Sequence, residues 1–469
     1  MNSEYDYDLA VIGAGPGGYV AAVKAAQNGL KIAVIECGKT GGTCLNRGCI
    51  PTKTLLHAAE LYREFKGAES FGIHAQGVTF DIGEMSARKE EVVAQLRGGV
   101  EQLFKANKIT NITGKATVTG AHQVTVESAE GIRQITAENI LIATGSVPSL
   151  PPIEGIGLPG VVTSDELLSG DMKLYRSLVI IGGGVIGVEF ASIYSALGCE
   201  VTVIEAMDRI LPQMDKEISQ NLAMILKKRG VKIYASAKVA KISEENGLAC
   251  TFEQKGTLQT VTAEGILAAV GRKPNTQGLF GEPFSVECER GAVTVNDRFQ
   301  TSVPSVYAIG DVIRGIQLAH AASAQGSNAV CAMLGKPAAV NLNVVPSCVY
   351  TEPEIACVGM TADEAKAKDI AVKTGKFLMS ANAKTVITRQ ERGFIKLVFE
   401  EKTGVLLGAQ LMCARATDLI GELAAAVANG LTQEQMASVI RPHPTFCEGI
   451  TEAAEDAEGT AVHILPKLR

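Results

Sequence analysis

Residues 9–36 read LAVIGAGPGGYVAAVKAAQNGLKIAVIE, and this stretch decides the fold. The apolar run Leu9 to Ile12 predicts a short strand that breaks into the glycines Gly13, Gly15, Gly17 and Gly18. An alanine-rich helical pattern runs on to about Asn28, and a second strand, Lys31 to Ile35, ends at Glu36, 23 positions after Gly13. Strand, glycine turn, helix, strand and acid together form a dinucleotide-binding unit. The glycines let the backbone turn tightly and let a pyrophosphate approach the helix N-terminus, where amide N–H groups and the helix dipole favour an anion. Glu36 would then accept hydrogen bonds from a ribose.

The unit occurs again at residues 178–205, LVIIGGGVIGVEFASIYSALGCEVTVIE, with Gly182, Gly184 and Gly187 in the turn and Glu205 again 23 positions after the first glycine. Two such units imply two cofactors. A carboxylate facing the adenosine ribose repels a 2′-phosphate, so Glu205 favours NAD over NADP. Arg209 lies nearby, but one arginine without a second reads as a surface or helix-start charge.

Between the repeats, Ile140 to Ile142 lead into Ala143-Thr144-Gly145-Ser146 and a proline-rich stretch from Val147 to Ile153, which reads as a hinge. A matching crossing lies at Val270-Gly271-Arg272-Lys273-Pro274-Asn275, and Val306 to Ile309 end in Gly310-Asp311, where a carboxylate at a strand end would hold polyol hydroxyls. These features predict that the second unit is inserted into the first and that the chain returns to the first sheet near residue 300. The final third changes character, with strands at Gly393–Phe399 and Val405–Leu411 and helices at Leu419–Asn429 and Gln433–Ile440, and reads as α+β. A chain of 469 residues suggests about three folding units. The expected class is α/β, with two Rossmann-like units and a C-terminal α+β domain. The boundaries are placed at 1–150, 151–275, 276–345 and 346–469, the third segment completing the first cofactor site.

Residues 41–53, GGTCLNRGCIPTK, carry the chemistry. In a regular helix Cys44 and Cys49 would stand roughly 7.5 Å apart along the axis, beyond the reach of a disulfide at about 7 Å between Cα atoms. A bridge therefore needs a break between them, which Gly48 supplies, and a strained local bridge is easily reduced. Lys53 follows Cys49 at i+4, so its cation lies on the face of the second sulfur.

The rest of the composition narrows the function. Apolar residues make up 46% and charged residues 20%, which suits a packed globular protein, and a net charge of −6 gives no basic footprint for nucleic acid or an anionic membrane. The other nine of the eleven cysteines lack the spacing of a disulfide framework or a zinc site, so reduced thiols in a cytoplasmic protein, with no metal, are expected. The N-terminus shows no signal or transit pattern, and no run of apolar residues is long enough to span a bilayer. His443, between Pro442 and Pro444 and five residues before Glu448, has the makings of a general base oriented by a carboxylate. His57, His74, His122, His320 and His463 read as structural.

Taken together, residues 13–19, 41–53, 143–145, 182–189, 307–311, 350–354 (YTEPE) and 443–448 resemble the flavin-dependent pyridine-nucleotide disulfide oxidoreductases, most closely those that oxidise dihydrolipoamide, over nearly the whole chain. The resemblance implies FAD in the first unit, held around Gly13, Gly15, Gly18, Glu36, Gly42, Thr43, Lys53, Ala116, Thr144, Gly145, Asp311 and Ala319. It implies NAD in the second, around Gly182, Gly184, Gly187, Glu205, Val239 and Gly271. Cys49 is similar to the sulfur that contacts the flavin and Cys44 to the one that exchanges with substrate, and Lys53 and Glu189 are expected to pair beside the ring. The resemblance further implies a homodimer joined through the C-terminal domain, in which His443 and Glu448 serve the sulfurs of the other subunit. The substrate would be a lipoylated protein of a 2-oxoacid dehydrogenase or glycine cleavage complex.

Three positions depart from that pattern. Arg47 stands between the cysteines in place of a small apolar residue, Arg441 replaces a histidine, and Ala321 replaces a lysine. A cation near the sulfurs would lower a thiolate pKa; otherwise all three side chains are expected to face solvent. The rival readings are an NADPH-driven reductase of the glutathione or mercuric type and an assembly subunit without turnover. The tail, Leu465 to Arg469, carries no extra cysteine pair of the kind the first would favour.

Overall fold

The protein is described by a computed structural model over residues 4–244, 247–390 and 392–465. Residues 1–3 and 466–469, on which the readings of the two chain ends partly rest, lie outside the described residues.

The first stretch folds as β1 (Tyr7–Ile12), α1 (Pro16–Gln27) and β2 (Ile32–Glu36), followed by α2 (Gly42–Arg47), α3 (Cys49–Gly67), α4 (Ile82–Ala106), β3 (Thr110–Thr113), β4 (Lys115–Gly120), β5 (Gln123–Ser128) and β6 (Gly131–Ile142). β1 lies between β2 and β6 and runs parallel to both, with Leu9 opposite Ile32 and Asn139. β3 extends the parallel sheet beyond β2, while β5 lies antiparallel along the first half of β6 and β4 antiparallel along β5. β1 is apolar at consecutive positions because both its faces are covered. Leu9 and Val11 pack in the core with α1 and α4, and Ala10 and Ile12 pack in the core beneath β4 and β5.

The chain leaves this sheet through β7 (Ser146–Pro148). The second unit comprises β8 (Val161–Thr163), α5 (Ser164–Leu168), β9 (Ser177–Ile181), α6 (Val185–Ala196), β10 (Glu200–Ile204), α7 (Lys216–Lys228) and β11 (Lys232–Tyr234). With the strand Gly265–Ala268 these make a parallel sheet in the order β11, β10, β9, Gly265–Ala268, β8. The return strand Arg272–Pro274 pairs antiparallel with β7, so the outgoing and incoming crossings form one ribbon. The strand Val306–Ala308 then joins the first sheet parallel to β6, with Tyr307 opposite Leu141, and α8 (Ala319–Met333) packs beside α1.

The final third is a five-stranded antiparallel sheet in the order Ser347–Val349, Ile355–Gly359, Leu406–Met412, Phe394–Glu400, Val372–Leu378. It carries α9 (Ala362–Ala367), α10 (Ala383–Ile387), α11 (Ala416–Ala428), α12 (Gln433–Ala437) and α13 (Glu448–Asp456). The helix expected to reach Ile440 stops at Ala437. Met436 is the one fully buried side chain of the helix, Ile440 is 96% exposed, and Pro442 keeps Arg441 out of helical geometry. No described helix is long and apolar enough to cross a membrane.

Candidate active site

The two glycine turns close in the same way. Gly13 and Gly182 take φ of 102° and 107°, and a β-carbon on either would stand 2.4 Å from the carbonyl oxygen of Ala143 or Ala269 in the neighbouring strand turn. Gly18 and Gly187 sit behind each turn, where a β-carbon would meet the oxygen of Gly13 or Gly182 at 1.9 or 2.0 Å, so each helix packs on its strand only without a side chain there. Gly15 and Gly184 are different. A β-carbon on Gly15 would find only Gly42 Cα at 3.9 Å, one on Gly184 would find nothing within 4 Å, and both residues line the cavity at the mouth of the helix. Such a cradle admits an anionic group against bare backbone.

The two acids serve their turns directly. Glu36 accepts from Ala14 N–H at 2.8 Å and Gly38 N–H at 2.7 Å, while Glu205 accepts from Gly183 N–H at 2.6 Å and Met207 N–H at 2.7 Å. Each carboxylate keeps lone pairs for a further donor. Arg209 bonds Asp208 and the Pro212 carbonyl, so its charge is engaged within its own loop.

Both cradles open into one cavity of about 2500 Å³. Thr43, Ala116, Thr144, Gly145, Asp311 and Ala319 line its first side, and Val239 and Gly271 its second. Cys44, Cys49, Lys53 and Glu189 stand on the same wall. Helix α2 ends at Gly48, where a β-carbon would lie 2.9 Å from the Thr43 carbonyl oxygen, and Cys49 starts α3 in a new direction. The break brings the sulfurs together as free thiols that share a hydrogen bond. The bond from Cys44 draws the Cys49 thiol down to about 7; Lys53 assists, while burial and Glu189 oppose. The same bond, with burial, pushes Cys44 well up.

Lys53 Nζ lies 2.9 and 2.8 Å from the two carboxylate oxygens of Glu189, which is 3% exposed, and 4.6 Å from the centre of the Tyr350 ring. Tyr350 N–H donates to Glu189 at 3.0 Å. This pair, with its carboxylate buried and its ammonium partly exposed, thus joins α3, α6 and the C-terminal segment.

His443 and Glu448 lie elsewhere. His443 Nδ1 is 2.8 Å from Glu448 Oε1, and neither residue lines the cavity that holds the sulfurs of its own chain. The loop is fixed by Thr445 N–H donating to Glu448 at 2.7 Å and by the buried Asn382 donating to the Thr445 carbonyl at 2.9 Å. Glu448 opens α13, which lies close on the sheet because Gly375 offers no side chain: a β-carbon there would be 1.8 Å from the Ala453 oxygen. Burial works against the Glu448 carboxylate, but the Thr445 and His443 bonds hold it below the usual carboxylate range. Nδ1 of His443 therefore donates, and its exposed Nε2 is left to accept a proton.

Of the three departures, Arg441 and Ala321 do not face solvent as expected, because one finds partners and the other a core, whereas Arg47 stays half exposed while it pairs with an acid. Arg47 pairs with Asp165 of α5 at 3.1 Å. Asp165 also takes Arg272 at 2.9 Å, Arg272 donates to Ser146 Oγ at 2.8 Å, and Ser146 donates to Asp311 at 2.7 Å. This chain, which sequence reasoning missed, runs from α2 through the crossing ribbon to Asp311. Arg441 is buried, bonds Thr451 Oγ1 at 2.6 Å and pairs with Glu422, while Ala321 is buried within α8. Among the described residues no group of three or more His, Cys, Asp or Glu side chains could hold a metal ion.

Comparison with known proteins matches residues 7–326 to the family model "Pyridine nucleotide-disulphide oxidoreductase" and residues 345–454 to the dimerisation domain of the same family. The chain is similar to a dihydrolipoyl dehydrogenase of Bacillus subtilis, at 41% identity over 98% of this chain and 99% of the relative. Among solved structures it resembles LpdA from Mycobacterium tuberculosis, with a TM-score of 0.88 and 30% identity over 95% of this chain and 99% of that one. It also resembles the Cu(II) complex of the HOCl-induced flavoprotein disulfide reductase RclA from Escherichia coli, with a TM-score of 0.86 and 32% identity over 97% and 99%.

Proposed function

Because the chain belongs to the pyridine nucleotide-disulphide oxidoreductase family, we propose that it is a dihydrolipoyl dehydrogenase, oxidising protein-bound dihydrolipoamide and reducing NAD. The observation that carries this reading is the cysteine pair standing, with the Lys53–Glu189 ion pair, on the wall shared by two dinucleotide cradles. The residues fit FAD in the first cradle and NAD in the second: each has a helix mouth bared by glycine and an acid with lone pairs to spare, and Arg209 is not free for a 2′-phosphate. Bound FAD and NAD supply the two-electron step that carries reducing equivalents from sulfur to nicotinamide.

The chain's own residues perform the thiol chemistry. His443, oriented by Glu448, takes the proton of one substrate thiol, because only the thiolate attacks a disulfide at a useful rate. That thiolate attacks Cys44, and Cys49 leaves as a thiolate which Lys53 favours. The second substrate sulfur then displaces Cys44 and closes the substrate disulfide. In this assignment His443 comes from the partner subunit of a homodimer built through the C-terminal domain, in keeping with its position outside its own chain's cavity. The division into an FAD unit (1–150), an inserted NAD unit (151–275), a central segment (276–345) and an interface domain (346–469) belongs to the same proposal. So does a lipoylated protein of a 2-oxoacid dehydrogenase or glycine cleavage complex as substrate in the cytoplasm.

Anaerobic rapid mixing of the FAD-loaded protein with dihydrolipoamide and either NAD or NADP tests the reading. Rapid NADH formation, with NADP far slower, is expected. Turnover only with NADP(H), or none with FAD in place, would contradict it.

A further inference from the structure

Helix α13 carries a second histidine–carboxylate pair beside the first. Glu448 and Glu452 are one turn apart on the same face, an arrangement that sets side chains about 6 Å from each other. His463, from the segment after the helix, folds back so that its Nδ1 lies 2.6 Å from Glu452 Oε1 and its backbone N–H donates to Oε2 at 3.0 Å. The two imidazoles are alike in presentation: their side chains are 72% and 70% exposed, each gives Nδ1 to a glutamate, and each is left with Nε2 open. They also share a field, since the charge of His463 steadies Glu448 and Glu448 in turn favours charged His463. The hydrogen bond to Glu452, then its charge, raises the His463 pKa above the ordinary histidine value, with Glu448 and Glu455 adding to it. The other charged groups around the helix are engaged: Arg441 with Glu422 and Thr451, Lys373 with Glu458, and Asp456 with the backbone of Lys376.

The thiol chemistry proposed above has a use for a second base. In its first step His443 takes one proton, the substrate sulfur bonds to Cys44, and the Cys44–Cys49 bond breaks. In its second step the remaining substrate thiol must lose its proton as it attacks, while Cys44 must gain one as it leaves. When the two proton movements are concerted an acid and a base act together, and His443, now protonated, is the acid. We propose that His463, held by Glu452, is the base of this second step. His443 returns its proton to Cys44, His463 accepts the proton of the second thiol and releases it to solvent, and two electrons rest on the enzyme as the Cys44 thiol and the Cys49 thiolate. Two S–H bonds and the enzyme S–S bond are broken, and the substrate S–S bond and the Cys44 S–H bond are formed, so atoms and electrons balance.

This inference rests on the dihydrolipoamide reading, and the test separates the two. The pH dependence of kcat is measured for the FAD-loaded parent, His463→Gln and Glu452→Gln with dihydrolipoamide and NAD. On the acid side the parent's kcat should fall with the loss of two protonatable bases, whereas His463→Gln should fall with one. The plateau of His463→Gln should drop about tenfold with KM unchanged, less than the hundredfold or more of a typical general base because His443 still serves the first step. Added free imidazole should restore part of the loss, and Glu452→Gln should shift the acid limb to lower pH. A variant with the parent's kcat and two-proton limb overturns the inference while leaving the proposed function standing. A lowered plateau with the two-proton limb intact and no rescue reveals a structural role and also overturns it. A parent without dithiol activity overturns both.

Discussion

The two dinucleotide units close their turns with corresponding hydrogen bonds, yet they differ in what the chain does after the acid. In both, the first glycine N–H bonds the end of the second strand, Gly13 to Ile35 at 2.8 Å and Gly182 to Ile204 at 2.9 Å. In both, the next loop bonds back onto the turn, Gly41 N–H to Ala14 at 2.9 Å and Leu211 N–H to Gly183 at 2.8 Å. In the first unit the chain then starts α2 directly over the cradle. Gly42, at φ 62°, packs so closely on Gly15 that a β-carbon on it would lie 2.5 Å from Gly15 Cα, and a β-carbon on Gly15 would meet Gly42 Cα at 3.9 Å, whereas a β-carbon on Gly184 would find no atom within 4 Å. Helix α2 roofs one cradle and leaves the other open. A roofed cradle suits a resident cofactor and an open one a cofactor that exchanges every turnover, so the difference supports the proposed placement of FAD in the first unit and NAD in the second.

The sulfurs stand between these cradles, so the largest expected effect comes from cutting the route there. Cys49→Ser should abolish dithiol oxidation but leave NADH-driven dye reduction, measured in parallel steady-state assays; equal loss of both would mean the second cradle does not work independently of the sulfurs. Gly42→Ala strains a left-handed residue and collides with backbone, a cost of about 2–3 kcal/mol. It should yield protein depleted of flavin by absorbance, whereas Gly184→Ala should keep its flavin and raise the KM for NAD about tenfold, equivalent to about 1.4 kcal/mol. Similar flavin content in the two variants would erase the distinction drawn here.

A smaller effect is the titration of Cys49 in the reduced protein. Its thiol is drawn down to about 7, so the thiolate is present above that pH and lost below it. Iodoacetamide labelling of Cys49 followed by mass spectrometry should half-titrate near pH 7 rather than at about 8.5, and a curve at the ordinary value would remove the proposed stabilisation of the leaving sulfur.

The smallest effect concerns how the second unit is anchored. Asp215 and Glu217 at the start of α7 meet Lys396 and Lys376 of the C-terminal sheet, with Lys396 Nζ 2.9 Å from Asp215 and 3.0 Å from Glu217. Burial opposes both charges, but the lysine bonds hold Glu217 below its usual 4.5 and the carboxylate bonds hold Lys396 above its usual 10.5. A depressed carboxylate stabilises above its ordinary pKa and loses that contribution as pH falls through the lower, folded value. A raised lysine stabilises below its ordinary pKa and loses it as pH rises through the higher one. The thermal midpoint should therefore drop below about pH 4.5 in the parent and less so in Glu217→Gln; parallel curves would deny the cluster a stabilising role.

The glycine turns with their acids and the helix break between Cys44 and Cys49 were legible in the sequence because their signals are local: glycine spacing, a terminal acid, and a glycine between two cysteines. Insertion of one unit in the other was legible from the two crossings. What escaped depends on partners that only the fold brings close. Arg441 meets Glu422 behind a helix and so read as a solvated charge, and Arg47, still half exposed, meets Asp165 far along the chain. The strand Val372–Leu378 alternates lysine, glycine and apolar residues, a pattern that becomes a strand only against Phe394–Glu400 and under α13. His463 looked structural because nothing near it in the sequence marks Glu452 as its partner.

The most direct test of the roofed and open cradles is to load the parent with both cofactors, pass it through a desalting column, and measure what remains bound. Flavin absorbance should stay near one per chain while the nicotinamide washes away. Loss of both together, or a nicotinamide that stays as firmly as the flavin, would contradict the assignment of a closed site to one unit and an exchanging site to the other.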